Sequence, residues 1–366
     1  VVTLVPGSLG GKGRGLAFIN TLIYNYDFGK HVPDINIRSP RTSVIGTDEF
    51  EYFIERNRIH ERIINIEDYE EIKRIFTSGA LTDTLIRRLR VLLKLINKPL
   101  AVRSSGMFED SLSQPFAGIF ETYLLPNNHP DINVRLTQLM DAIKLVFASV
   151  YSPEARGYIE AINYKLDEEK MAIVVQEVVG HQYDDVFYPH ISGVAQSYNY
   201  YPFAHMKPEE GFAIAALGLG KYVVDGGSAY RFSPAYPAVE ILTPKDLYKN
   251  SQVKFLAVDL AKSDVNLLEG EMAGLREIDI DEAEHHGTLR HLASVYDRDN
   301  QRLVPGTTTP GPRVINFSNV LKYDYCTMAK TIEVVLDIVK EAMGAPVEIE
   351  FAIDLTRDAD YKTTFY

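Results

Sequence analysis

Several groups of residues in the 366-residue sequence have types and spacings that could do chemistry. The first is VPGSLGGKGRGL, Val5 to Leu16, in which five glycines surround Lys12 and Arg14 just ahead of an apolar run. It departs from the P-loop pattern, because Pro6 stands five residues before Gly11 and Gly13 follows Lys12 in place of Ser or Thr. It also misses the GxGxxG fingerprint in every register. What survives is the physics beneath such motifs: bare backbone lets N–H groups approach an anion, a helix start offers its positive end, and Lys12 adds a point charge. The alternative is a tight turn with a surface lysine.

Arg103 sits in AVRSS between apolar strand residues and small hydroxyls, where a guanidinium needs either a carboxylate or a phosphate partner. Glu109 and Asp110 are the nearby candidates for an internal salt bridge. In VEIEFAID, Val347 to Asp354, apolar residues alternate with Glu348, Glu350 and Asp354, so a strand there carries three carboxylates on one face. Hard oxygen ligands side by side suit Mg²⁺; the alternative is an amphipathic strand with its acids in water. The histidines form no HExxH motif, and the adjacent His285 and His286 fall in an acidic segment that reads as a solvated helix. Cys326 has no partner in sequence and reads as a packed, inert thiol, and the tyrosines of SYNYYPFAH can pack or stack on a base.

The elements that would position these groups are legible from periodicity. Leu16, Ile19, Leu22, Ile23 and Tyr26 recur at helical spacing behind the glycines, so the opening loop runs into a helix. Asp48 to Phe76 is charge-dense with helical apolar spacing and reads as a solvated helical face. A buried strand is expected at Pro99 to Ser105, and a helix with one apolar face from Ile132 to Val150. Ser152 and Pro153 cap another helix. The β-branched run Met171 to Gly180 suits a buried strand, and further strands are expected at HISGVAQSY and GFAIAALGLG. Val304 to Arg313 reads as a Pro- and Gly-rich loop, and a helix stopped by Gly344 leads into VEIEFAID. Helices and strands mixed without strict alternation give an α+β class.

Bulk composition bounds the partners. A net charge of −12 argues against a nucleic-acid binder, because such affinity rests on clustered Lys and Arg. No apolar window is long enough for a membrane span, so a membrane partner is not expected. One cysteine excludes an internal disulfide, and Val1 opens no signal-like segment, so a cytoplasmic location is the expectation.

Taken in order, LGGKGRGL, VRSSGMFEDSLSQPFAGIFETYL, AIKLVFASVYSPEARGY, MAIVVQEVVG, GLGKYVVDGG and VEIEFAID resemble the nucleotide-binding domain of the phosphoenolpyruvate synthase and pyruvate phosphate dikinase family. The resemblance implies an ATP-grasp-like fold of two or three sub-lobes closing around a nucleotide cleft, with ATP and Mg²⁺ as cofactors. It further implies a kinase or phosphotransferase with paired acceptors, in which ATP phosphorylates a histidine on a swivelling domain and a barrel domain passes the group to pyruvate. Those phosphohistidine and pyruvate-binding domains would lie elsewhere in the same full-length chain. Carried over by position, Lys12 and Arg103 would grip the ATP phosphates as catalytic residues, and Gly118 and Thr122 would line the same pocket. Gln176, Glu177 and Val178 would meet adenine and ribose, and Glu350 would hold the metal.

On this resemblance residues 1–366 form one nucleotide-binding domain, with sub-lobes near 1–105, 106–180 and 181–366 and a subgroup insertion near 250–312. The sequence departs from the family at GLGK, where Lys221 stands for an acid, and at RSSGMFED, which alters the loop beside Arg103. It ends at Tyr366, ahead of the family's Q-x-R segment, and is expected to be a fragment of a longer enzyme. Other expectations from the same resemblance are a glucan or antibiotic phosphotransferase, or a non-catalytic ATP sensor.

Overall fold

The structure, a computed structural model, describes residues 1–106, 118–161 and 169–366. It divides into two compact units, each assembled from three stretches of chain. The first takes Val1–Leu22, Ser39–Val178 and Val258–Arg276; the second takes Ile23–Arg38, Val179–Ala257 and Glu277–Tyr366. The strands Leu100–Gly106 and Thr122–Leu125, on either side of the sub-lobe boundary expected near 105, pair with each other inside the first unit, and residues 250–312 are shared between both units.

The chain begins with β1 (Val2–Val5), α1 (Gly10–Asn25), β2 (Ile35–Ile37) and β3 (Thr42–Ile45). Helices α2 (Thr47–Arg56), α3 (Ile59–Ile63), α4 (Tyr69–Thr77) and α5 (Asp83–Leu95) follow, then β4 (Leu100–Gly106) and β5 (Thr122–Leu125). Next come α6 (Ile132–Ala148), α7 (Pro153–Ala161) and β6 (Met171–Glu177). The sheet of the first unit has the order β1-β3-β6-β4-β5, with β1 parallel to β3 and the other pairs antiparallel.

Period-two alternation splits that sheet into two faces with different work. Ile45, Val102, Tyr123, Ile173 and Val175 belong to a core completed by α2, α4, α5 and α6. There Phe53 meets Phe76 and Phe147, each at a ring separation of 5.7 Å. The charge-dense stretch Asp48 to Phe76 is therefore not simply a solvated face. It folds as three helices whose Phe50, Phe53, Ile72 and Phe76 are buried while most of the charges point outward. Arg103, Thr122, Val174 and Gln176 have the opposite parity and occupy the other face of the sheet. The expected cap of α7 is present, with the Ala155 N–H donating to Ser152 Oγ at 3.1 Å.

The second unit continues with β7 (His181–Tyr183), β8 (Val186–Tyr188), β9 (Ile191–Gln196), β10 (Phe212–Ala216), α8 (Lys221–Val224) and β11 (Tyr230–Phe232). Then come α9 (Pro244–Asn250), β12 (Lys254–Asp259), β13 (Leu275–Asp279), α10 (Ile280–His285), β14 (Ala293–Asp297), β15 (Arg302–Pro305) and β16 (Arg313–Ile315). The chain closes with α11 (Ser318–Leu321), α12 (Met328–Met343), β17 (Glu348–Asp354) and β18 (Thr363–Phe365). The largest sheet here is β11-β10-β9-β17-β18-β2, and smaller ones run β13-β12-β8-β7 and β15-β14-β16. The Pro- and Gly-rich stretch Val304 to Arg313 is anchored at both ends, since β15 and β16 both pair with β14. Gly344 terminates α12 at φ +66, a conformation that favours glycine. The mixed α+β class follows from these elements.

Two polar side chains in this unit bear on stability. Cys326 is buried and its thiol is pushed up to about 12, as expected of an inert cysteine. His291 is held neutral: burial first, then the charge of Arg290, lowers its pKa to about 4, and Arg290 Nε donates to its Nε2 at 2.8 Å. The unfolded chain takes up this proton near the ordinary histidine value, so the native state loses stability as pH falls from about 6.5 toward 4. Thermal melts across that window should show a falling midpoint, and His291→Phe, which keeps the stack on Tyr325 at 3.8 Å, should flatten the slope. An unchanged slope in the variant would assign the effect to other groups.

Candidate functional site

The glycine-rich segment is helical rather than a loop. Helix α1 starts at Gly10, so Lys12 lies in its first turn, and only Pro6 to Leu9 connect it to β1. The glycines answer to packing. A Cβ on Gly10 would stand 1.8 Å from the carbonyl oxygen of Ser105, at a backbone φ of +67. One on Gly13 would touch Leu9, Val44 and Ser105 at 3.0 to 3.6 Å. Bare backbone here lets the helix start press against the end of β4.

Ser105 ties the two together, its hydroxyl donating to the Leu9 carbonyl at 2.7 Å and accepting from the Gly13 N–H at 2.9 Å. One of the amides expected to cradle an anion is thus committed to the protein. The result still serves a site, because Arg103 is two residues from Ser105 on β4 and shares its sheet face. Lys12 and Arg103, 91 positions apart in sequence, belong to elements fastened by one serine. Nothing in the sequence around Ser105 marks it for that task.

Three more expected residues lie along the same sheet. Thr122 pairs directly with Arg103, and Val174 stands opposite Arg103 on β4's other side, two residues before Gln176. Gly118 precedes this at φ +75, and a Cβ built there would meet no described atom within 4 Å. Gln176 donates to Thr42 Oγ1 at 2.9 Å. Glu177, of opposite parity, is drawn to Lys98 at 3.3 Å and Arg41 at 3.8 Å, and the Val178 N–H donates to the Pro99 carbonyl at 2.9 Å. A base meeting this strand would therefore find the Val178 amide already used. Glu109 and Asp110, the carboxylates considered for Arg103, lie outside the described residues.

An acidic group missed by sequence reasoning flanks Thr122. Its backbone N–H donates to Glu271 Oε1 at 2.5 Å, and Gly274 packs on the Leu124 carbonyl. Beside it, burial raises the pKa of Glu121, which accepts from Tyr123 Oη at 2.6 Å. A phosphate near Thr122 would meet its hydroxyl rather than its amide. Glu271 comes from the 250–312 stretch, whose contribution to this unit has no local sequence signal.

In the second unit, β17 realises the alternation read from VEIEFAID. Phe351 and Ile353 are buried, whereas Glu348 and Glu350 are exposed on the other face. The third carboxylate differs from its neighbours: Asp354 is half-buried and lies 2.6 Å from His181 Nε2. Burial alone would favour its neutral acid, but the His181 and His190 contacts and then the Thr356 N–H outweigh this and hold the carboxyl well below its ordinary range. The exposed carboxylates on this face are thus Glu348, which accepts from Gln196 Nε2, and Glu350. Lys221 pairs with Asp225 one turn along at 3.3 Å.

Residues 7–362 match the family described as pyruvate phosphate dikinase, AMP/ATP-binding domain. The chain belongs to this family. Among related proteins, the phosphoenolpyruvate synthase of Deinococcus radiodurans is 25% identical over 270 residues, which is 68% of this chain and 31% of that protein. An uncharacterized phosphotransferase, YvkC of Bacillus subtilis, is 30% identical over 191 residues, 51% of this chain and 20% of its own length. The phosphoenolpyruvate synthase of Aeropyrum pernix is 28% identical over 141 residues, 38% and 15% of the two chains. The matched region spans less than a third of each of these relatives. Like them, this pyruvate phosphate dikinase-type domain falls in a kinase and phosphotransferase family. Among its described residues no helix is long and apolar enough to cross a membrane.

Proposed function

We propose that the domain binds Mg-ATP and supplies the phosphoryl group of a phosphoenolpyruvate synthase-like enzyme, delivered to a histidine on a separate swivelling domain and thence to pyruvate. The fold on this reading is ATP-grasp-like, with α+β lobes closing on the nucleotide. The observation that carries it is the docking of the Lys12 helix start onto the strand of Arg103, in a chain of the AMP/ATP-binding family.

Phosphoryl transfer asks mainly for positioning and charge compensation. Lys12 and Arg103 would bind and neutralise the phosphates, Arg103 with the fork geometry that suits two phosphate oxygens at once. The Thr122 hydroxyl and the bare backbone at Gly118 would complete the pocket, and Gln176 would orient the base and ribose. Mg²⁺, which takes one or two carboxylates plus phosphate oxygens, fits Glu350, with Glu348 two residues away on the same face. Bound there, the ion would supply further compensation for phosphate charge.

Titration calorimetry on the protein in its full natural length tests this reading. Glu350→Gln should weaken Mg-ATP by about tenfold or more while leaving metal-free ATP binding nearly unchanged. Equal affinities for Mg-ATP would remove Glu350 from the site. The B. subtilis relative, a phosphotransferase by name, favours a second reading in which the same domain serves a different acceptor. Formation of phosphoenolpyruvate from pyruvate and ATP selects the first reading; phosphorylation of another acceptor without it selects the second.

A further inference from the structure

Two clusters in the second unit bring histidine and carboxylate ligand atoms within 4.8 Å of one another: His181, His190 and Asp354, and Asp184, Glu282 and His286. Their hydrogen bonding separates them. In the first cluster the shortest contacts are hydrogen bonds, and His190 Nδ1 also lies 3.4 Å from Asp354 Oδ1. His181 Nε2 and Asp354 Oδ2 are 2.6 Å apart, the distance of a charge-assisted hydrogen bond. His190 Nδ1 accepts from the Leu355 N–H at 3.2 Å, and its Nε2 meets Tyr183 Oη at 3.0 Å. That cluster is held together mainly by hydrogen bonds among its own members.

The second cluster is built differently. The side chain of His286 is 6% exposed, and its ring stacks on Tyr183 at 5.2 Å. Behind it runs a chain of donors whose direction can be worked out from its far end. The single hydroxyl proton of Thr288 goes to the Ala283 carbonyl at 3.0 Å, so Thr288 Oγ1 accepts from Tyr188 Oη at 3.2 Å. Having donated to Thr288, Tyr188 Oη accepts from His286 Nδ1–H at 2.8 Å. The proton of the neutral imidazole is therefore on Nδ1, and Nε2 presents a lone pair.

That lone pair faces Asp184 Oδ2 and Glu282 Oε1, each at 3.7 Å. Three electron-rich atoms converge at a spacing too long for hydrogen bonds. The spacing is close to the roughly 3.4 Å that ligand atoms keep around a tetrahedral Zn²⁺ with bonds of about 2.1 Å. A ligating histidine fixed through its other nitrogen is the usual support of such a site. Asp184 is placed by the two-residue turn between Tyr183 and Val186, at a left-handed φ of 49, and Glu282 by α10.

We propose that His286 Nε2, Asp184 and Glu282 form a Zn²⁺ site, with water filling the remaining position, that fastens the β7–β8 hairpin to α10. One nitrogen with two carboxylates suits zinc over Mg²⁺ or Ca²⁺, which take all-oxygen sets. The segment holding His285 and His286 is accordingly not a plain solvated helix, since only His285 is exposed.

The test is calorimetric titration of the chelator-treated 366-residue chain with ZnCl₂, alongside thermal melts. The expected result is one Zn²⁺ per chain and a raised melting midpoint, with affinity falling at least tenfold in Asp184→Asn and in Glu282→Gln. Both residues are substantially exposed, so these variants fold. His181→Gln should retain the ion. Failure to bind one equivalent, unaltered affinity in the two carboxylate variants, or loss of binding in His181→Gln would each overturn the site. So would an imidazolium signal from His286 that persists in excess zinc, which would show a proton in place of the metal.

Discussion

Replacing Arg103 by alanine should weaken Mg-ATP binding by about 10- to 100-fold, and Lys12→Ala should do the same on the smaller side of that range. Hydrogen bonds to charged groups contribute about 1.5–3 kcal/mol each, which converts to factors of this size. Arg103 should matter more because its planar fork reaches two oxygens at once, whereas Lys12 acts as a point charge. Arg103→Lys therefore should recover only part of the loss. The pairing of Arg103 with Thr122 and Val174 is a backbone matter, so the truncation should leave the strand register intact, and any change in the melting midpoint is read separately. Calorimetry beside thermal melts separates the two quantities. Full affinity in Arg103→Ala would remove the guanidinium from the phosphates.

The second large effect concerns backbone. Gly10→Ala places a methyl 1.8 Å from the Ser105 carbonyl oxygen at a φ of +67, so both the close approach and the left-handed conformation oppose it. The conformation alone costs about 1–2 kcal/mol, and parting α1 from β4 adds the bonds of Ser105 to Leu9 and Gly13, for a total above about 3 kcal/mol. Nucleotide affinity should fall with it, because Lys12 rides on that first turn. Gly15→Ala is the matched control. Nothing lies within 4 Å of its added methyl, and a helix interior prefers alanine by up to about 1 kcal/mol, so the midpoint should rise slightly. Denaturant melts of the two variants give the comparison; a harmless Gly10→Ala would mean that the helix start can move away from β4 at little cost.

These two cases also show which parts of the molecule the sequence discloses. Local periodicity was sufficient for α6, for the strand of Arg103 and for the two faces of β17, because each rests on side chains within one element. The same rule put Arg103 and Gln176 on strands, and pairing register then placed both on one sheet face. Long-range contacts left no such mark. The glycines looked like a loop for an anion, but two of them answer to Ser105, more than 90 residues away. Glu271 reaches Thr122 across 149 positions in sequence. His286 reads as a solvated residue beside His285, and only the β7–β8 hairpin, a hundred residues earlier, buries it. No local pattern links Lys12, Arg103 and Glu350 either; only the family resemblance groups them, as an expectation.

The central claim is that those three residues act on one magnesium-bound nucleotide. A double-mutant cycle on Mg-ATP affinity tests it most directly, comparing the parent protein, Arg103→Ala, Glu350→Gln and the double variant by calorimetry. The account predicts that each single change weakens binding at least about tenfold and that the combined loss is smaller than the sum, because both groups hold the same triphosphate and its ion. Two strictly additive effects would argue that they hold it independently; a Glu350→Gln or Arg103→Ala variant with parental affinity would contradict the claim outright.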